Sequence, residues 1–173
     1  MLLPRLIGSV FHVTPARAFL DILSDGLIKA NRDGNLGFNY SENSYGRLRG
    51  YICLIDLRNA TDEELNQAQD KWNYLDPWGW DRRNPVFLLV DEAEHEKLIT
   101  WRAAQGSGEM YIPWVESWYA GELTLNKIKS ALALTIEREP EHPHIKAIRE
   151  RNSQSGRDAM RGGGDGPERP GER

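Results

Sequence analysis

The chain has 173 residues, 39% of them apolar, with six Trp, six Tyr and four Phe, enough for the core of one domain and too much for a wholly disordered chain. Its formal net charge of −4 argues against broad electrostatic capture of nucleic acid, although a local basic patch remains compatible with it. A single cysteine, Cys53, excludes a disulfide within the chain, and no apolar run is long enough to cross a bilayer.

Leu6 to Val13 (LIGSVFHV) is rich in β-formers and carries His12. Thr14 followed by Pro15 then reads as a helix start, with Thr14 as N-cap and Pro15 as the first helical residue. Phe19, Ile22 and Leu23 fall on one helical face, and Gly26 before Leu27 fits a left-handed C-terminal cap. Taken one at a time, Thr14 is equally a simple cap and His12 a half-buried strand residue bonded to a neighbouring carbonyl.

Lys29 to Gly50 (KANRDGNLGFNYSENSYGRLRG) shows no sustained period and reads as an extended loop. Irregular connections longer than about 12 to 15 residues are uncommon in compact domains and tend to be functional or disordered; the tyrosines and arginines here favour function. The apolar strand YICLIDL follows and places Cys53 as a small buried thiol. Thr61 to Trp72 opens with Thr61 and Glu64 at capping-box spacing and predicts a polar surface helix.

Asn73 to Pro85 is a turn-rich insert holding Trp78 and Trp80, ahead of the strand VFLLVD and a helix capped by Asp91 with Glu94. His95 reads as an ordinary helix-surface residue. Glu109 to Val115 (EMYIPWV) is β-like, with Pro113 forcing an edge, a bulge or a break, and Glu116 comes directly after. Leu125, Ile128, Leu132 and Ile136 in TLNKIKSALALTIERE predict a last helix. Pro140 and Pro143 stop its extension, so the folded unit closes near Glu139. From about Asn152 the chain is a Gly, Pro, Arg and Glu mixture with little to bury, expected to be disordered.

These elements make one domain of mixed helix and strand with short elements. No Gly-rich phosphate loop followed by Lys-Ser or Lys-Thr, no HExxH, no paired CxxC and no GxSxG is present. His142 and His144 form an HxH pair at the edge of the tail, where a solvated pair outweighs a metal site, so no metal is expected. What remains is His12 and Thr14 near the start, Ser44, Tyr45, Arg47 and Arg49 in the long loop, and Glu116 late in the chain.

That set, with an HxT on the first strand, a helix ending in a DGL-like turn, a Gly-rich polar loop and a late Glu followed five residues on by Gly, resembles the ADP-ribosyltransferase superfamily. It is most similar to DNA-targeting ADP-ribosyltransferase toxins and more distantly to RNA 2′-phosphotransferases. The family's EVxVxGxIxL strand is matched here by VESWYAGELTLNKI, with Glu116, Gly121, Leu123 and Leu125.

The resemblance implies an α+β fold: a single ADP-ribosyltransferase-like domain over residues 1–139, with a small mixed or antiparallel split sheet flanked by short helices, and a flexible tail over 140–173. It implies NAD as co-substrate. Glu116 is then the catalytic carboxylate, with Glu109 as its competitor, and Arg47 or Arg49 binds the pyrophosphate. His12 contacts the ribose or nicotinamide portion, Thr14 fixes the turn beside it, Ser44 joins the binding site, and Tyr45 or Tyr51 stacks on the nicotinamide ring.

The acceptor implied is a macromolecule, DNA or RNA ahead of protein, in a toxin or effector with a possible antitoxin partner; a cytoplasmic protein with no membrane association is expected from the apolar runs, all short of a bilayer span, and from MLLPRLIGSVFHV, which does not match a signal peptide. Trp72, Trp78, Trp80, Trp114 and Trp118 either pack beneath a long loop or form a stacking platform beside Arg82 and Arg83. Two alternatives stay open: an RNA 2′-phosphotransferase-like enzyme, and a non-catalytic module of the same fold that binds a nucleotide or partner.

Overall fold

A computed structural model describes residues 3–36, 43–71, 84–104 and 112–135, with the side chains of 69–71 left aside. All belong to the unit Met1–Ile136. Trp72, Trp78, Trp80, Arg82, Arg83, Glu109, His142, His144, Ile136 and the 139/140 boundary with its tail lie outside the described residues.

The chain opens with one helical turn, α1 (Leu3–Leu6), so the strand expected from Leu6 begins later, as β1 (Val10–Pro15). Helix α2 (Ala16–Asp25) and β2 (Leu27–Ile28) follow. Then come α3 (Tyr45–Arg49), β3 (Tyr51–Asp56) and α4 (Asp62–Lys71). β4 (Pro85–Val90) leads through a 3-10 turn, Glu92–Lys97, into β5 (Leu98–Thr100) and α5 (Trp101–Ala104). β6 (Glu116–Ala120), β7 (Leu123–Thr124), a 3-10 turn (Leu125–Lys127) and β8 (Ile128–Ala133) complete the order.

Six strands form one sheet in the order β5-β6-β3-β1-β4-β8, and β2 pairs with β7 in a second. Every ladder among the described residues is antiparallel, as an α+β fold requires. β1 and β3 lie at the centre because their apolar residues point both ways: Phe11 and Ile55 to one face, Val10 and Leu54 to the other. On the first face Phe11, Val13, Ile55 and Phe87 pack under Leu6 of α1 and Leu65 and Ala68 of α4. On the second, Val10, Ile52, Leu54, Val86 and Leu88 pack under Phe19 and Ile22 of α2 and under Ile28 and Leu123 of the small sheet.

Several expectations are met by the chemistry that motivated them. The Thr61 backbone N–H donates to Glu64 Oε2 at 2.9 Å and the Glu64 N–H to Thr61 Oγ1 at 3.2 Å, a reciprocal capping box that starts α4. Gly26 ends α2 at φ 74°, its N–H donating to the Ile22 carbonyl at 2.9 Å.

Other expectations are corrected. Thr14 is not the cap: β1 runs one residue past it, Pro15 holds the capping position, and the Ala16 N–H donates instead to the Asn84 carbonyl at 3.1 Å. Leu23 does not join the buried face of α2; it is 49% exposed, and Leu20 beside it 65%. The loop before Gly50 contains the short helix α3. The last predicted helix is instead β7, a 3-10 turn and β8, because pairing with β4 outweighs the helix propensity of its Leu, Lys and Ala. Asp91 does cap the following turn, accepting from the Ala93 N–H at 2.9 Å, but that turn is 3-10 and the Glu94 side chain leaves the cap for other partners.

Candidate active site

β1 stays paired with β4 through five registers from Phe11 to Pro15, yet it leaves β3 after Phe11 meets Ile55. The central sheet therefore splits. Leu57 exchanges backbone bonds with Gly8 and Ser9, so Ile55 and Cys53, two and four residues back along an extended strand, turn their polar groups toward the same neighbour. The Cys53 carbonyl would meet β1 if the ladder continued; His12 Nδ1 lies 3.0 Å from it instead. A carbonyl oxygen only accepts, so Nδ1 carries the proton and Nε2 keeps a lone pair. Burial pushes the imidazole pKa below its ordinary value, partly countered by the Cys53 bond, which keeps His12 neutral near pH 7.

Glu116 starts β6, the strand on the far side of β3, opposite Ile55. Its carboxylate is buried and bonded at both oxygens: Oε2 accepts the Ile112 backbone N–H at 2.6 Å and Oε1 accepts the indole N–H of Trp118 at 2.9 Å. The Cys53 thiol is a third partner. Burial raises the Glu116 pKa to about 6, opposed by the Ile112 and Trp118 donors and by Cys53. The Cys53 thiol is in turn pushed far up, first by burial and then by the Glu116 charge, so it stays protonated as a donor.

The residues before Glu116 form a turn where a strand was expected. The Val115 N–H donates to the Pro113 carbonyl at 2.9 Å and the Glu116 N–H to the Ile112 carbonyl at 3.3 Å. Trp114 sits at φ 71°, a conformation that costs a bulky residue energy and survives only when its surroundings fix it. Here its Nε1 donates to Gln67 Oε1 at 2.7 Å and its ring packs on Trp101 at 4.3 Å between centroids. That turn delivers the Ile112 N–H to the carboxylate.

Helix α3 lies over the same side of β3 and β6. The Tyr45 ring packs on Trp118 at 4.2 Å and on Tyr51 at 6.4 Å, and the Arg49 guanidinium sits 4.0 Å above the Tyr45 centroid. Gly46 makes this approach possible: a Cβ there would lie 2.5 Å from Cys53 Sγ and 2.8 Å from Trp118 Cδ1. Arg47 turns toward the preceding loop, its Nη2 2.5 Å from where a Cβ on Gly34 would stand. Ser44 occupies the N-cap position of α3 with no side-chain capping bond.

The structure thus brings Tyr45, Arg49, Tyr51 and Glu116 together on one face. It does not bring His12 and Thr14 to that face. Phe11, Ile55 and Glu116 are in register, so the residues that alternate with Phe11 along β1 set out from the opposite face, where Thr14 is buried against β4. His12 takes part only because its ring bonds β3 across the gap. Cys53 and Trp118, which the sequence offered as a buried thiol and as a packing or stacking ring, both bond Glu116, and Gly46, which it passed over, packs on the two of them; these contacts depend on the β3–β6 register.

A second polar cluster lies on the opposite face. Buried Glu94 accepts from the Tyr119 hydroxyl at 2.6 Å and from Lys97 at 2.8 Å, and Lys127 donates to the Tyr119 oxygen at 2.9 Å. Bonds to Lys97 and Tyr119 hold the Glu94 pKa below the usual carboxylate range. His95 is partly buried rather than a surface residue, and its Nε2 has no hydrogen-bond partner among the described residues. Among the described residues no group of three metal-capable side chains assembles, and no helix is long and apolar enough to cross a membrane. No protein-family profile, curated protein or solved structure matches the chain.

Proposed function

We propose that this protein is an NAD-dependent ADP-ribosyltransferase of toxin or effector type, with an ADP-ribosyltransferase-like split-sheet domain, acting on a macromolecular acceptor, nucleic acid ahead of protein. The observation that carries the reading is the junction of β1, β3 and β6. The sheet divides beyond Phe11, where the His12 ring bridges to β3, and the strand on the other side of β3 starts with a buried, doubly bonded carboxylate.

The chemistry follows from those groups. Transfer breaks the bond between the ribose carbon and the nicotinamide nitrogen, whose electron pair leaves with nicotinamide; the acceptor atom then bonds that carbon and gives up its proton. Positive charge grows on the ribose meanwhile. With a pKa of about 6, Glu116 is mostly ionised at neutral pH, and a carboxylate in a dry setting stabilises such a cation strongly. The same carboxylate orients the ribose 2′-hydroxyl.

His12, with Nδ1 committed to Cys53, offers Nε2 to a ribose hydroxyl or the nicotinamide portion. Arg49 and Arg47 supply planar guanidinium groups that match a pyrophosphate. Tyr45 is engaged by Trp118 and Arg49, so Tyr51, half-buried at the start of β3, is the better stacking partner for nicotinamide. Ser44 stands at the start of α3, while Thr14, buried against β4 on the other face, takes no part.

NAD labelled in its adenylate portion, incubated with the protein and DNA, RNA or lysate protein, tests the proposal. Label transferred to nucleic acid supports it in full, and label on protein alone corrects the acceptor. Absence of both transfer and nicotinamide release refutes it.

A further inference from the structure

The Glu116 carboxylate is held by a side chain whose own position is fixed from another element. Trp118 follows two residues later on β6 and is fully buried; its indole N–H donates to Glu116 Oε1 at 2.9 Å. Alternate residues of a strand share a face, so this bond runs along the sheet surface that α3 covers. The indole is gripped from above by the Tyr45 ring at 4.2 Å and by the Gly46 backbone, where a Cβ would come within 3.0 Å of Nε1 itself.

We propose that Trp118 is the positioning residue of Glu116, and that α3 sets it: one indole ring registers the helix carrying Arg47 and Arg49 against the carboxylate on β6. The inference rests on the reading of Glu116 as the catalytic carboxylate. Two donors on two different oxygens fix the plane of a carboxylate, whereas one leaves it free to rotate. The Ile112 N–H comes from the turn before β6 and the Cys53 thiol from β3, so of these three donors the indole is the one held by a ring of α3.

The indole also belongs to the set of donors that keep the ionised form against burial. Of the titratable and charged side chains on the elements packed against Glu116, the protonated Cys53 thiol on β3 bonds the carboxylate, while on α3 Arg47 turns toward Gly34 and Arg49 lies over the Tyr45 ring. Removing the indole donor therefore raises the pH at which Glu116 takes up its proton.

Two NMR titrations on the full chain test the proposal. In the wild type, the Trp118 indole proton is expected to shift with a midpoint near 6, and Glu116→Gln is expected to abolish that midpoint. In Trp118→Phe, which keeps a ring against Tyr45, the Glu116 carboxyl carbon is expected to titrate at higher pH than in the wild type. The acid limb of NAD turnover should move up with it, with kcat reduced and KM for NAD within about twofold.

An indole proton insensitive to pH in this range, or an unchanged Glu116 midpoint in Trp118→Phe, overturns the proposal. Should Trp118→Phe not fold, the wild-type indole titration decides alone. If both midpoints behave as expected while the wild type never releases nicotinamide from NAD, the positioning role stands and the transferase reading falls.

Discussion

His12 Nδ1 and the carbonyl oxygen of Cys53 lie 3.0 Å apart, at the place where a backbone N–H of β1 would otherwise reach β3. A side chain has taken over a ladder bond. The two central strands can then part without stranding a buried carbonyl, whose loss of a partner is costly. One residue thus reconciles the continuity of the core beneath with the gap above it.

Replacing His12 with Ala is expected to leave the Cys53 carbonyl unpaired and to lower stability by about 1–3 kcal/mol, read from urea unfolding. His12 also has a pH signature. Its folded pKa is depressed, so the unfolded chain binds the proton first as pH falls through 6.5, and wild-type stability drops there. The Ala variant should lose that part of the slope.

Glu116→Gln is expected to reduce ADP-ribosyl transfer by roughly 10²–10³-fold, the range for one preorganised electrostatic contact to a transition state. Its linkage has the opposite sign from that of His12. The folded pKa of about 6 lies above 4.5, so the native state binds more protons between these values, and the Glu116 contribution to stability rises as pH falls through that window. Denaturation series on both single variants should separate the two slopes.

What the sequence disclosed follows from which signals are local. The apolar run of β4 and the capping box of Thr61 and Glu64 act within a few residues, so both are legible. Ile128 and Leu132 misled because a spacing of four reads as one helical face, whereas a register shift in the β4–β8 ladder sends Ile128 to the Val90 face of the sheet and Leu132 to the Phe87 face. Helix α3 is too short for its period to stand out. Glu116 could be picked by its place before Gly121, but its indole donor could not, since Trp118 is brought to it by strand geometry and by a helix some seventy residues earlier. Glu94 had a plausible local role as a cap partner, and a tyrosine 25 residues away claimed it instead.

Gly46→Ala tests the close approach of α3. A methyl 2.5 Å from Cys53 Sγ and 2.8 Å from Trp118 Cδ1 cannot be accommodated without moving the helix or the indole. Overpacking of this kind is expected to cost about 1–3 kcal/mol, visible as a lower unfolding midpoint together with reduced NAD turnover.

Tyr119→Phe tests the second polar cluster independently. It removes the hydroxyl that joins Glu94 to Lys127 and should destabilise the fold by about 1–3 kcal/mol in thermal unfolding, with kcat for NAD turnover unchanged. A fall in kcat at temperatures where the variant is fully folded would tie that cluster to the reaction.

The most direct measurement is an amide NMR titration of the wild-type chain with NAD. The account predicts that the largest shifts fall on both walls of the split, at His12, Val13 and Thr14 of β1 and at Tyr51, Ile52 and Cys53 of β3. A spectrum indifferent to millimolar NAD, or shifts confined to residues away from β1 and β3, would contradict it.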